Sequence, residues 1–553
     1  MKAPIIVALS ALLLLLGATP ASAQEATTVT LLHFSDYHSH AVPFFSEGED
    51  DVAGAARAIA YLKQYVDDPN ALILSGGDMI NKGSPAWSDK YGCVEWSWFN
   101  GLVQAMAYGN HDADYGSEIF AECLAGIDYP MLASNVLDAE GEPIFQRDGR
   151  TYELFDVGGV TIGVFAVAGP DFERLLTPET MPVADMILAD RIETARETVQ
   201  AMEAEGADAI VLIGHGLYED DLALAQAVPG IDLIFGTHSH RKEELTAIPD
   251  SDTVIISPYQ YLTYISQVDL TFVDGELQDI SGALVEMSSD LPEDPEIKSM
   301  VDELQAELQA DPDYAYLYEP IGEAADELAT DGQFTGSAGL GNFVTDVVRK
   351  GADANMAIIT SSTFRQPIPP GVVLEEDLLA AMPYKNAVLT YAMTGAQIKD
   401  LLDYSISRSG SDFFSQVSGV TFTIVDDAAA DIRIAADAVS SQEEFAPLDP
   451  EAIYQVATSN FQGLFAGGYQ EIFAQADYTE TGLDFWDLVR SALQESSPVH
   501  ADLDPRIVND ASAAQVTEAQ PAAGVLYVPR EVMIAVNVIG FLVTMPVWHK
   551  LIQ

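Results

Sequence analysis

TVTLLHFSDYHSH, residues 28–40, reads as an apolar strand that runs into two metal-type side chains, Asp36 and His38. The apolar pattern stops at Phe34, and a bend after it can turn both side chains toward one point. The same arrangement recurs along the chain. ALILS (71–75) precedes Gly77-Asp78, AIVLI (209–213) precedes Gly214-His215, and IDLIF (231–235) precedes Gly236-Thr237-His238-Ser239-His240. Gly109-Asn110-His111-Asp112 completes the series. Of the 9 histidines, His38, His111, His215, His238 and His240 fall inside these segments. Carboxylate, amide and imidazole donors together suit divalent Mn, Zn, Co or Fe better than a thiolate-bound ion.

One carboxylate can bridge two cations. Asp36, His38, Asp78, Asn110, His215, His238 and His240 therefore divide into two sets of four around a shared Asp. Paired divalent ions clamp the attacking and leaving oxygens of a displacement and make hydroxide available near neutral pH. His111 is left over. Beside Asn110 it can protonate a leaving oxygen or stabilise charge, with Asp114 orienting its ring. His33, inside the strand, reads as packed, and His40 as lining the site without ligating; His500 and His549 have no partner pattern.

The chain's 553 residues call for two folded domains plus termini. Hydrophobic residues make up 48%, enough for substantial cores. The net charge of −62, from 86 acidic and 24 basic residues, disfavours a nucleic-acid polymer as partner, since its phosphates would be repelled. The acidity suits a solvated surface in a salty medium. An anionic substrate would depend on metal ions and local arginines. Residues 1–23 read as a secretory signal: Lys2, an apolar IIVALSALLLLLG, and Ala21-Ser22-Ala23 before the cut. The implied place is exported, periplasmic or at the cell surface. Cys93 and Cys123 flank the GNHD segment and, in an oxidising compartment, either pair or stay apart.

Strand-like and helix-like stretches alternate over 26–285, which predicts an α/β layered domain with its ligands on loops past strand ends. VAGAARAIAYLKQYV (from Val52) and DRIETARETVQAMEAEG (from Asp190) are the expected helices. Residues 286–320 read as a charged helical linker and 321–500 as a second α/β domain. In that second domain helices are expected near Gly341-Asn342-Phe343 and after Thr394-Gly395-Ala396. Residues 501–524 read as an acidic linker. The apolar tail at 525–553 reads either as a short membrane anchor or as a strap packed on the protein.

The ordered series D-x-H, GGD, GNHD-x-D, GH and GTHSH resembles the calcineurin-like metallophosphoesterases. GNHDADYG and GTHSH resemble their 5'-nucleotidase branch in particular. GNFVTDVVRKGADANMAIIT, IPPGVVLEEDLLAAMPYKNAVLTYAMTGAQIKDLL and QVSGVTFTI are similar to that branch's C-terminal domain. The resemblance implies a four-layer αββα sandwich followed by an α/β substrate-binding domain. It implies one metal site from Asp36, His38, Asp78 and His240 and another from Asp78, Asn110, His215 and His238, with Asp78 bridging. His111 and Asp114 match the catalytic pair, Arg365 the phosphate-binding arginine, and Phe414 and Phe461 the rings that sandwich a base, with Phe465 a rival for the second ring. The implied activity is hydrolysis of a small phosphoester: a nucleotide, a cyclic nucleotide or a nucleotide sugar.

Three departures weaken the nucleotide pocket but not the metal set. Thr360-Ser361-Ser362-Thr363-Phe364-Arg365 lacks the family's Asn and Gly. No arginine stands before the GN helix in DGQFTGSAGLGN. Ala466-Gly467-Gly468-Tyr469 lacks the ribose-holding Asp. A two-metal hydrolase acting on thiosulfonate groups and a non-catalytic nucleotide-binding surface protein are the alternative readings.

Overall fold

The computed structural model describes residues 26–509, apart from 47, 83–85 and 437–443. The expected signal (1–23), the acidic linker from 510 on and the apolar tail (525–553) lie outside the described residues. Among the described residues, no helix is long and apolar enough to cross a membrane.

The strand Ala26–Phe34 sits inside a six-stranded sheet. It pairs antiparallel with Tyr264–Val273 on one side and parallel with Ala71–Ser75 on the other. Ala105–Ala107 and Met131–Leu132 continue the parallel part, and Glu276–Glu286 closes the opposite edge. A second six-stranded sheet holds the parallel strands Val160–Phe165, Ala209–Leu212, Leu233–Phe235 and Val254–Pro258, edged by Tyr152–Val157 and Lys242–Ala247.

Side chains alternate across a strand, so each sheet has two faces to bury. Val29, Leu31, Leu72 and Leu74 pack against Ile162, Val164, Val211 and Leu233, making the core between the sheets. Leu32, Phe34 and Ile73 point the other way, into the cluster that includes Ile59 and Leu62 of the helix Ala55–Leu62. Phe165, Ile210 and Leu212 pack under the helices Arg191–Glu205 and Tyr218–Ala227. This is the αββα layering, with both inner and both outer faces apolar because each strand is covered twice.

Local chemistry sets several element ends. Asp190 caps Arg191–Glu205 by accepting from Glu193 N, and Gly206 ends it with φ 91°. The first expected helix is shorter than its apolar pattern, spanning only Ala55–Leu62. In the 286–320 segment, Asp294 caps the helix Pro295–Ala310, which buries Ile297, Val301 and Leu308. That segment is therefore packed along one face rather than wholly solvated.

In the C-terminal part, Met356–Thr360, Ile453–Ser459, Ala387–Thr394, Ser415–Ser418 and Tyr478–Asp484 form a five-stranded sheet. Gly339–Gly351 and Phe485–Glu495 cover one face through Val344, Val348 and Val489. Gly395–Ser407 covers the other through Ile398, Leu401 and Leu402. Thr394 and Gln397 close a capping box at the start of that helix.

Candidate metal centre

All five ligand segments leave the C-terminal ends of parallel strands, where a sheet delivers its loops to one edge. The loops interlock through backbone. Asp36 N donates to Gly77 O at 3.0 Å, His38 N to Asp78 O at 2.9 Å, and Tyr261 N to Asp36 O at 2.8 Å. Asp36, His38, Asp78, His238 and His240 all adopt positive φ, between 46° and 54°. Left-handed backbone at a non-glycine residue costs roughly 1 kcal/mol or more, so its concentration here marks a site held in place by its surroundings. Gly109 is required for a different reason: a Cβ there would lie 2.1 Å from Asp78 Oδ1.

The candidate ligands fall into two buried clusters, Asp36–His38–His240 and Asp78–His215–His238. His38 Nε2 and His240 Nε2 are 3.1 Å apart. Asp78 Oδ2 lies 3.2 Å from His215 Nε2 and 3.7 Å from His38 Nε2, between the two clusters. Asn110 Oδ1 is buried without a hydrogen-bond partner, and Asp78 Oδ2 and His215 Nε2, equally buried, meet only each other as a charge pair without hydrogen-bond geometry. Buried polar atoms left short of hydrogen bonds are costly, and here they are atoms that a divalent cation would satisfy, replacing the proton on His215.

The outer ring nitrogens are already committed. His215 Nδ1 lies 2.7 Å from Gly76 O and His38 Nδ1 3.1 Å from Ile80 O, so each ring donates there and aims Nε2 inward. His238 Nε2 is 2.9 Å from Asp171 Oδ2, which leaves Nδ1 as its ligand atom. His240 differs. Arg365 Nη1 donates to His240 Nδ1 at 2.7 Å, which puts the ring proton on Nε2, 3.3 Å from Asp36 Oδ1. An ion on that Nε2 requires the proton to move to Nδ1 and Arg365 to turn away. With that one adjustment the residues present fit a pair of divalent ions.

The field of the site favours positive charge. Burial opposes the ionised form of Asp78, but His215 and His111 outweigh it and hold the carboxyl well below its usual range. Burial likewise works against a charged His215, yet Asp78 raises it to about 10. For His38, burial prevails and the ring stays neutral. His111 Nδ1 lies 2.8 Å from Asp114 Oδ2, and His111 N donates to Asp78 Oδ1 at 2.8 Å. Burial is again overcome, and Asp114 and Asp78 raise His111 well above the ordinary histidine range.

A cavity of about 330 Å³ opens over the clusters. Asp78, Asn110, His111, Asp114, His238 and His240 line one side; Arg365, Tyr384, Phe413 and Phe461 line the other. Arg365 and Phe461 thus both face this cavity. Phe414 does not. It is fully buried in the core with Ile358 and Leu402, while its neighbour Phe413 faces the cavity. The pair sits in the turn in which Phe414 N donates to Ser411 O at 3.1 Å, just before the strand Ser415–Ser418, and that turn sends the two side chains in different directions, so an expectation one residue off chose the core side. Phe465 is 57% exposed and contributes only its backbone oxygen to the interface, accepting from Arg174 Nη1 at 3.1 Å.

His33 is fully buried and stacks on Phe235 with centroids 4.4 Å apart, as a packed residue should. His40 stacks on Tyr261 at 3.6 Å and lines a neighbouring cavity instead of the metal-facing one. Cys93 and Cys123 form a disulfide on either side of the GNHD loop, tying the turn Val94–Phe99 to the helix Ser117–Ala125.

Three acids escaped the sequence reading. Asp171 orients His238, and its signal was a carboxylate just past the strand Val160–Phe165. Asp112 accepts from the backbone N–H groups of Met79 at 2.7 Å and Gly109 at 2.8 Å, joining two ligand loops. Burial and Asp78 push it up to about 7. Glu95 accepts from Tyr37 Oη at 2.9 Å and Ser39 Oγ at 3.0 Å, bracing the loop that carries His38.

Comparison with known proteins agrees with this architecture. Residues 29–242 match the family described as calcineurin-like phosphoesterase, and residues 320–475 match the 5'-nucleotidase C-terminal domain. A 5'-nucleotidase of Vibrio vulnificus is 26% identical over 522 residues, covering 85% of this chain and 91% of the relative. The trifunctional nucleotide phosphoesterase protein YfkN of Bacillus subtilis is 26% identical over 502 residues, which is 82% of this chain but only 33% of that longer protein. The crystal structure of a 5'-nucleotidase precursor from Thermus thermophilus superposes with a TM-score of 0.70 at 25% identity, covering 87% of this chain and 99% of the other. Both family matches occur in order along one chain and the paired His/Asp clusters fall within the first, so the chain combines a calcineurin-like phosphoesterase domain with a 5'-nucleotidase C-terminal domain.

Proposed function

We propose that this chain is an exported, two-metal phosphoester hydrolase of 5'-nucleotidase type that acts on small nucleotides or closely related phosphoesters. The observation that carries the proposal is the set of buried ligand atoms on Asp78, Asn110 and His215 that make no regular hydrogen bond, beneath a cavity lined by Asp78, Asn110 and residues of the C-terminal domain. Two divalent ions held by Asp36, His38, Asp78, Asn110, His215, His238 and His240 would supply Lewis acidity toward a phosphoryl oxygen and the attacking water.

The chain's own residues do the rest. Asp78 and Asp36 provide the negative charge that retains cations. His111, held by Asp114, offers a proton or a positive charge to the oxygens of the transferring group. Arg365 presents a guanidinium whose fork matches phosphate oxygens. Phe461, with Phe413, provides ring faces for a base; stacking is worth roughly 1–3 kcal/mol per base. Export is supported by the apolar leader in the sequence and by the disulfide, which persists in oxidising compartments.

The test is phosphate release from AMP by purified protein supplied with Mn or Zn, beside His215→Ala. Turnover that falls by about 100-fold or more in the variant is expected, in line with loss of a metal-site residue. No phosphate release above the His215→Ala background would overturn the reading. Release of sulfate from a thiosulfonate instead would transfer the site to the alternative leaving group.

A further inference from the structure

Arg174 lies in the single helical turn Phe172–Leu175, three residues after the Asp171 that holds His238. It lines the same cavity as His111, Arg365 and Phe461. One N–H of its fork reaches across to the C-terminal domain and donates to Phe465 O at 3.1 Å. A guanidinium carries five N–H donors, so this bond uses a small part of its capacity. Among the described residues, no carboxylate lies within ion-pair distance of it.

The turn that it faces, Ala466-Gly467-Gly468-Tyr469, adds no acidic side chain. A Cβ built on Gly467 would be in ordinary contact with Arg174 Nη1, at 3.8 Å, so the glycine leaves that side of the guanidinium uncovered by a side chain. Of the other carboxylates on the cavity wall, Asp171 is engaged with His238, Asp114 with His111 and Asp78 with His215, while Asp412 acts on Arg365. A chain with net charge −62 and only 24 basic residues repels anions as a whole, and Arg174 and Arg365 are the two guanidinium groups that this cavity wall sets against that field. Arg365 serves the reacting phosphoryl group under the function proposed above. The second arginine, exposed and with Asp171 as a charged neighbour, keeps N–H donors free for an anion carried by the leaving group.

We infer that Arg174 is a specificity-determining residue that receives a second phosphoryl group on the leaving-group side of the substrate, so that the preferred substrates are organic bisphosphates. This rests on the hydrolase reading. Bidentate pairing of guanidinium with phosphate supplies both the affinity and the selectivity.

The experiment compares kcat/KM for adenosine 3',5'-bisphosphate and for AMP in wild type, Arg174→Gln and Arg174→Lys, with Mn present. The ratio of bisphosphate to monophosphate should fall about tenfold or more in Arg174→Gln, mainly through KM, with partial recovery in Arg174→Lys. An unchanged ratio overturns the inference and leaves Arg174 as a clasp on the Phe465 carbonyl. If the wild type hydrolyses neither compound, the hydrolase reading fails. Calorimetric titration of wild type and Arg174→Gln with the same two compounds then decides the matter. Tighter binding of the bisphosphate that is lost in the variant supports the site, and equal affinities refute it.

Discussion

Asp171 illustrates how much of this site is set one layer behind the candidate ligands. Its carboxylate holds His238 Nε2 at 2.9 Å and so directs Nδ1 inward. Removing such a partner typically weakens metal affinity by about 10–100-fold. Asp171→Ala should therefore lower the affinity of one of two ions in a chelator competition, with the other unaffected, and Asp171→Asn should lose less because its amide oxygen still accepts. Glu95 makes a different prediction, about pH. Burial pushes it up to about 8 from its ordinary 4.5, against the hydrogen bonds from Tyr37 and Ser39. A carboxyl whose pKa is raised by folding binds its proton in the native state over a range where the unfolded chain has released it. Stability from this group is thus greatest at low pH and is lost as pH rises between about 4.5 and about 8, by up to roughly 1.4 kcal/mol per pH unit. Urea titrations at pH 5 and pH 8 should show that loss in wild type and a much smaller one in Glu95→Gln. A wild-type slope equal to the variant's would mean Glu95 is ionised in the fold.

At the scale of elements, strand-then-ligand order was legible because it is local: an apolar run of strand length, a glycine, then a polar donor. The helices Arg191–Glu205 and Gly395–Ser407 were legible for the same reason, with Asp190 and Thr394 as caps. The stacking aromatic was not. Phe413 and Phe414 are alike as letters, and only the turn before the strand sends one to the cavity and the other to the core. Substitution separates them. Phe414→Ala should destabilise by about 3–5 kcal/mol in urea unfolding, the usual cost of emptying a buried ring. Phe413→Ala should leave stability nearly intact and raise KM for a nucleotide while leaving KM for a base-free phosphoester such as phenyl phosphate little changed. Equal effects on both substrates would remove Phe413 from base recognition. The bracing of His38 by Glu95 was equally hidden, because nothing in the segment around Glu95 announces which loop will lie against it.

Across the whole molecule, the dominating quantity is a net charge of −62. Self-repulsion of this size weakens the compact state, and salt relieves it as the Debye length shrinks from about 10 Å at 0.1 M to about 3 Å at 1 M. The melting temperature should therefore rise between those concentrations, and an anionic substrate should show a lower KM at the higher one until ion competition sets in. A melting temperature that falls with salt would mean that ion pairs such as Lys63–Asp294, 2.6 Å, outweigh the repulsion. The same scale holds the contacts between the two domains, Arg365 with His240 and Arg174 with Phe465. Composition, periodicity and the spacing of donors were enough to point to two α/β domains and to a candidate metal set, because each is a property of neighbouring residues or of a sum over the chain. Tertiary structure alone decided which donor faces which, that five candidate ligands adopt left-handed backbone, that Asp78 lies between the clusters, and that Arg174 reaches the far domain. His38 and His240 are 202 positions apart in the chain and 3.1 Å apart in space. A contact of that kind is fixed by the packing of two sheets, and no local pattern encodes it.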